Sequence, residues 1–138
     1  MQSKNINFLI TDVLRLMRRE YRKSDLVMTL MQARTLLSVS RNEGVKQVTL
    51  AELLDIQPIT LARLIDQLVS DGLVERRADP KDRRANALFL TEKATPWLLE
   101  IDKEINRVRE KALQGLTPEQ IDVAMDVLTK MHENLTDD

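Results

Sequence analysis

Apolar residues recur at helical spacing through most of the chain. Ile6, Leu9, Val13, Leu16 and Met17 form one stripe, with Arg15, Arg18, Arg19 and Arg22 on the other faces. A second helix is expected after Ser24–Asp25, running to about Ser40 with Leu30, Ala33, Leu36 and Leu37 inward. Arg41 to Gln47 breaks it, with Gly44 as the turn residue. Thr49 is a good N-cap, and Glu52 three residues on completes a capping box, so a short helix is predicted from there to about Ile56. Gln57-Pro58 stops it, because proline cannot continue the hydrogen-bond ladder. A new helix begins at about Pro58–Thr60. Its apolar residues, Leu61, Leu64, Ile65, Leu68 and Val69, stand at i, i+3, i+4, i+7 and i+8. Gly72 fits the position just past its end. Two helices joined by a tight turn form a helix-turn-helix pattern.

The period then changes. "LVERR" and "NALFL" read as short strands, and Asp79-Pro80-Lys81-Asp82 between them suits a type I turn. A helix-turn-helix followed by a β-hairpin is a winged helix. The expected fold is therefore mainly α with a small β-hairpin wing. Beyond it, Thr91 is expected to cap a long helix. There Ala94, Leu98, Ile101, Ile105, Val108 and Ala112 make a heptad seam suited to packing along another helix. Pro96 is expected to cost one backbone bond or to bend the start. Gly115 closes this helix. Thr117-Pro118-Glu119-Gln120 opens the last one, along which Ile121, Ala124, Leu128, Met131 and Leu135 repeat the seam.

Composition narrows the function. The 138 residues fit one domain with a real core, and 43% hydrophobic with 31% charged residues argues against disorder. Aromatics at 3% disfavour a stacking platform for single strands. With no Cys there is no disulfide, thiolate metal site or cysteine redox switch. The only histidine, His132, reads as a surface residue, so neither a metal nor another cofactor is expected. No apolar run approaches the roughly 20 residues that span a bilayer. The charged N-terminal stretch also lacks a small-residue cleavage site. No membrane association is expected; the expected location is cytoplasmic, at the nucleoid.

The formal net charge of -1 hides an asymmetry. Residues 1–48 carry nine Lys and Arg against four Asp and Glu, whereas residues 94–138 carry five against ten. The densest basic cluster lies in the middle: between Arg76 and Arg84 stand five cations and two carboxylates. A polyanion partner must therefore touch a selected surface.

The predicted second helix of the pair has that surface. Thr60, Arg63 and Gln67 form its polar stripe, and Pro58 and Ile59 begin it. In a major groove Thr60 reaches a base or phosphate, Arg63 bonds guanine bidentately, and Ile59 meets a thymine methyl. The competing account pairs Arg63 with Asp66 on a solvated face. In the hairpin, Arg83 sits just past the turn, placed to enter a minor groove, whose negative potential suits arginine. Arg76 and Arg77 lie on the first strand, where phosphates are within reach. Asp82 and Arg84 face similarly and are expected to pair, leaving one arginine structural and its neighbour free. The competing account here is an ordinary charged hairpin kept soluble by arginines.

The segment "LARLIDQLVSDGLVERRADPKDRRANALFLTEKA" (Leu61 to Ala94) resembles the MarR/SlyA family of bacterial winged-helix transcription regulators. The likeness is carried by Asp79-Pro80-x-Asp82-x-Arg84-Ala85, with Leu90-Thr91 following. It implies a two-fold dimer built from the first and last helices, residues 1–25 and 94–138. The winged-helix lobe would span residues 26–93. It implies a recognition helix at Pro58–Asp71 with Ile59, Thr60 and Arg63 nearest the bases, Arg83 in the minor groove, and Asp82–Arg84 shaping the wing. The partner implied is double-stranded DNA with a pseudo-palindromic operator. The role implied is that of a repressor modulated by a small anionic aromatic compound. Such a compound would bind between the dimer region and the DNA-binding lobe, in a pocket for which Arg18, Met31, Arg34 and Trp97 are candidates.

Two rival classes remain. One is a winged-helix protein-interaction module without DNA binding, motivated by the neutral total charge and the wing carboxylates. The other is an enzyme. The chain has no phosphate-cradling glycine loop, no nucleophile with a histidine base and no metal cluster, so no catalytic residue is assigned.

Overall fold

A computed structural model describes residues 5–136. The chain runs α1 (Ile6–Tyr21), α2 (Leu30–Arg41), α3 (Gln47–Leu54), α4 (Pro58–Ser70), β1 (Val74–Asp79), β2 (Asp82–Leu90), α5 (Ala94–Ala112) and α6 (Pro118–Leu135). The mainly helical winged-helix architecture is as the sequence predicts. Three helix starts differ, each for a local reason.

The second helix begins at Leu30 rather than after Ser24–Asp25. Thr29 and Gln32 form a reciprocal capping box, with Thr29 Oγ1 accepting from the Gln32 N–H and Gln32 Oε1 accepting from the Thr29 N–H. The third begins at Gln47, with no side-chain cap, rather than at Thr49. Its entry is fixed from outside. The Gly44 N–H donates to the Leu88 carbonyl, the Leu88 N–H donates to the Val45 carbonyl, and Lys46 bridges Ala87. The approach to α3 is thus pinned to β2, and Thr49 falls inside the first turn. Thr91 does not cap α5, whose N-cap position is held by Lys93. Its hydroxyl donates instead to the Gly72 carbonyl, fastening the end of the hairpin to the end of α4. Pro96 is the third residue of α5 and falls among N–H positions that have no partner within a helix anyway.

The helix-turn-helix forms because each end has a stop. Asp55 adopts a left-handed conformation (φ 52°) and closes α3. Gln57 turns the chain, and Pro58 opens α4 at N1. Gly72, at φ 77°, ends α4 with the Leu73 N–H returning to the Leu68 carbonyl.

Leu36, Leu50, Leu61, Ile65, Leu68, Leu73 and Leu88 form the core beneath this lobe. Each fully buried side chain of this size contributes roughly 1.5–3 kcal/mol over leaving it in water. The hairpin is antiparallel, pairing Val74 with Leu90 through Ala78 with Asn86, and a bulge at Ala78/Asp79 precedes the turn. Both strands are longer than their apolar alternation suggests, because pairing continues through the arginine-rich stretch.

Tyr21, Ile101 and Val108 join α1 and α5 to the core. Ala94 is also buried, and Met17, Trp97, Leu98 and Ile105 pack against the core from the same two helices. On α1, Ile6, Leu9, Val13 and Leu16 are all exposed, and α6 buries no side chain at all. The capping box at Thr117 and Gln120 forms as predicted.

Candidate nucleic-acid interface

Burying Leu61, Ile65 and Leu68 rotates the other side of α4 outward. Pro58, Ile59, Thr60, Arg63 and Gln67 are all exposed, on one helix face or its N-terminal end. No acidic residue sits in the first turn and no side chain caps it, so the first N–H groups remain available to an anion. Arg63 makes no hydrogen bond or ion pair among the described residues. Asp66, the partner it would have had on a simple solvated face, bonds Arg76 at 2.6 Å. Gln67 donates to Asp71 at 3.1 Å.

The wing sorts its charges. The Asp79 carboxylate accepts from the Lys81 main-chain N–H (2.8 Å), and that of Asp82 accepts from the Arg84 main-chain N–H (3.0 Å). Asp82 and Arg84 do pair, but through the backbone of Arg84 rather than its guanidinium. Both turn carboxylates therefore build the loop. The guanidinium groups of Arg83 and Arg84, both exposed, have no partner among the described residues. Arg77 is different. It is paired to Glu75 on its own strand, with its guanidinium carbon 3.9 Å from the centre of the Phe89 ring. Arg76 is half-buried and turned toward α3 and α4.

A cleft of about 470 Å³ opens between α1, α2 and α5. Arg18, Met31 and Arg34 line it, together with Tyr21, Ile105 and Arg109. Trp97 does not. It lies in a second cleft with Asp25, Glu100, Lys103 and Glu104. Two of the lining residues that sequence reasoning missed, Tyr21 and Arg109, had a signal. Tyr21 stands three after Arg18 and Arg109 four after Ile105, so each shares a helix face with a pocket residue. The Tyr21 hydroxyl is buried and has no hydrogen-bond partner among the described residues. Burial, with the nearby Glu104 charge, raises its pKa above the usual phenol value.

Beside the cleft, Glu20 at the end of α1 bonds Arg107 (3.0 Å) and Lys111 (3.0 Å) on α5, and Lys23 (3.1 Å). Hydrogen bonds from Lys111, Arg107 and Lys23 lower its pKa from 4.5 to about 2. Among the described residues no cluster of His, Cys, Asp or Glu would hold a metal, and no helix is long and apolar enough to cross a membrane.

An exposed polar helix face, supported by a partner helix whose start is pinned to the hairpin and flanked by an arginine-tipped wing, defines a winged helix-turn-helix protein. Residues 28–85 match the model of the MarR family. A MarR transcriptional regulator from Methanosarcina mazei is 29% identical, with a TM-score of 0.86 and 94% of each chain covered. The transcriptional regulator SlyA is 28% identical, with a TM-score of 0.82, covering 95% of this chain and 94% of that one. A mutant MarR from E. coli complexed with operator DNA is 25% identical, with a TM-score of 0.81, covering 91% and 92%. The chain is thus similar in sequence to the MarR family over residues 28–85, and in fold to MarR and SlyA regulators over more than nine-tenths of its length.

Proposed function

We propose that this protein is a sequence-specific DNA-binding transcription regulator acting as a homodimer on a pseudo-palindromic operator. The observation that carries this is the separation of charges on the lobe. Arg63 on α4 and Arg83 and Arg84 on the wing are unpaired among the described residues, while the nearby acids are bonded elsewhere. Pro58, Ile59, Thr60, Arg63 and Gln67 would face the major groove, and Arg83 the minor groove. Arg84 and Arg77 would meet phosphate, Arg77 after releasing Glu75. The wing carboxylates motivated a protein-interaction module, but their commitment to main-chain donors removes that motive.

The bare stripes of α1 and α6 support a dimer built on residues 1–25 and 94–138, with residues 26–93 as the DNA-binding lobe. Two lobes about one helical turn apart would read two half-sites. The cleft, lined by apolar residues and Arg18, Arg34 and Arg109, fits a small aromatic anion that releases a repressor from its operator. Such a protein would work in the cytoplasm, on the nucleoid, and would catalyse nothing.

Selection of bound sequences from random DNA tests the reading. The expected result is a two-fold motif, bound at least a thousandfold more tightly than unrelated DNA. Arg83→Ala should weaken binding more than Lys103→Ala. Enrichment of no motif, or equal effects of the two substitutions, would refute it.

A further inference from the structure

Arg76 leaves the middle of β1, and its guanidinium ends against two helices. Its Nε–H donates to Gln47 Oε1 at 2.9 Å, on the first residue of α3. Its Nη2 donates to Asp66 Oδ1 at 2.6 Å and to the Ala62 carbonyl at 3.4 Å, both on α4. One side chain thus joins the wing, the supporting helix and the exposed helix. Lysine, a single flexible point charge, would not span these acceptors with fixed geometry. Asp66 stands one turn beyond Arg63, where an unpaired carboxylate would repel phosphate.

We propose that Arg76 is a positioning residue, held by Asp66 and Gln47, that fixes the angle between α4 and the wing so that both grooves are read as one event. This rests on the DNA-binding reading above. The rival role is that of a direct phosphate ligand. The two differ in sign at Asp66. If Arg76 serves phosphate, Asp66 competes with DNA, and Asp66→Ala tightens binding by releasing a cation and deleting a repulsive charge. If Arg76 positions α4, Asp66→Ala weakens binding although it removes negative charge.

The full chain and its Asp66→Ala, Asp66→Asn, Arg76→Ala, Arg76→Lys and double Asp66→Ala/Arg76→Ala variants would be titrated at several salt concentrations. The probes are a duplex selected by the wild-type protein and an unrelated duplex of equal length. Asp66→Ala and Arg76→Ala are each expected to weaken the selected duplex about tenfold, with the double variant no worse than either single one. Asp66→Asn, which keeps an oxygen acceptor, should recover most of the loss, and Arg76→Lys little. The salt slope and the affinity for the unrelated duplex should hold. Three results overturn the proposal. One is tighter or unchanged binding by Asp66→Ala. Another is a salt slope lowered by about one contact in Arg76→Ala alone. The third is a lower melting temperature with the preference for the selected duplex intact, which marks a merely structural bond.

Amide exchange in the DNA-free protein supplies a second arm. Both single variants should accelerate exchange at the start of α3 and along β1, and unchanged exchange overturns the clamp. Wild-type protein that selects no duplex refutes the DNA-binding reading alone, and the exchange arm then decides the clamp by itself.

Discussion

Arg107 holds Glu20 twice: Nη1 donates to the carboxylate and Nη2 to the main-chain carbonyl, both at 3.0 Å. It therefore ties down the end of α1 itself as well as a side chain, and Glu104 holds its Nε. Because the pKa of Glu20 is lowered from 4.5 to about 2, its stabilisation is fully present above about pH 4.5. That stabilisation is lost as pH falls through about 2. Glu20→Gln should destabilise the neutral-pH protein and flatten the acid limb of its stability curve. Urea midpoints between about pH 2 and 6 would check this, and parallel curves for variant and wild type would count against it.

The wing arginines should act independently. Neither Arg83 nor Arg84 is occupied by Asp82, so Arg83→Ala and Arg84→Ala should each lower the salt slope of DNA binding by about one. Asp82→Ala should also weaken binding, by loosening the turn that the Arg84 N–H closes, although it removes a negative charge. Anisotropy titrations across salt would decide, and tighter binding by Asp82→Ala would contradict the role given to that bond.

Gly72→Ala should cost about 1–2 kcal/mol, since an L-residue at φ 77° is strained. The added Cβ would also meet Lys93 Cδ at 3.4 Å. Thr91→Val, which keeps the shape and deletes the donor to Gly72, should cost about 1 kcal/mol. Urea denaturation measures both. The two changes are neighbours and should not add.

Small aromatic acids should raise the melting temperature of the wild-type protein. At a hundred times the dissociation constant the gain is about 2.7 kcal/mol. Arg34→Ala or Arg18→Ala should remove most of it, whereas Trp97→Phe should not, because Trp97 lies in the other cleft. Thermal-shift titration tests this, and equal loss in all three variants would argue against the cleft.

Phe8→Glu on α1 and Leu128→Glu on α6 both alter exposed apolar residues, so neither should disturb the single chain's core. Each should weaken dimerisation by at least tenfold, seen by sedimentation, with DNA affinity falling in parallel. Unchanged association would remove these faces from the interface.

What could be read from the sequence was whatever depends on neighbours along the chain. Pro58 at N1, Gly72 at the helix end and the Thr117–Gln120 box are one-turn relationships, and all three stand in the structure. Thr49 and Thr91 had equally good local chemistry and do not cap. Backbone pairing with Leu88 and Ala87 moved one helix start, and the Gly72 carbonyl took the other hydroxyl. The site divides the same way. The exposed face of α4 follows from its apolar spacing. The bond from Asp66 to Arg76 joins residues ten apart on different elements, and no periodicity shows it. Trp97 and Arg34 both looked like pocket residues until the packing of α5 sent them to separate clefts.

An 18-residue helix with no buried side chain, which is what α6 is, draws little support from its own chain. In proteins most helical stability comes from packing an amphipathic face rather than from propensity. If α6 packs in the proposed dimer, its folding and association become one equilibrium, and its helicity should rise with protein concentration. The abundance of the protein in the cell would thereby set what fraction of it carries two linked lobes, and dilution alone would act as a brake on its grip.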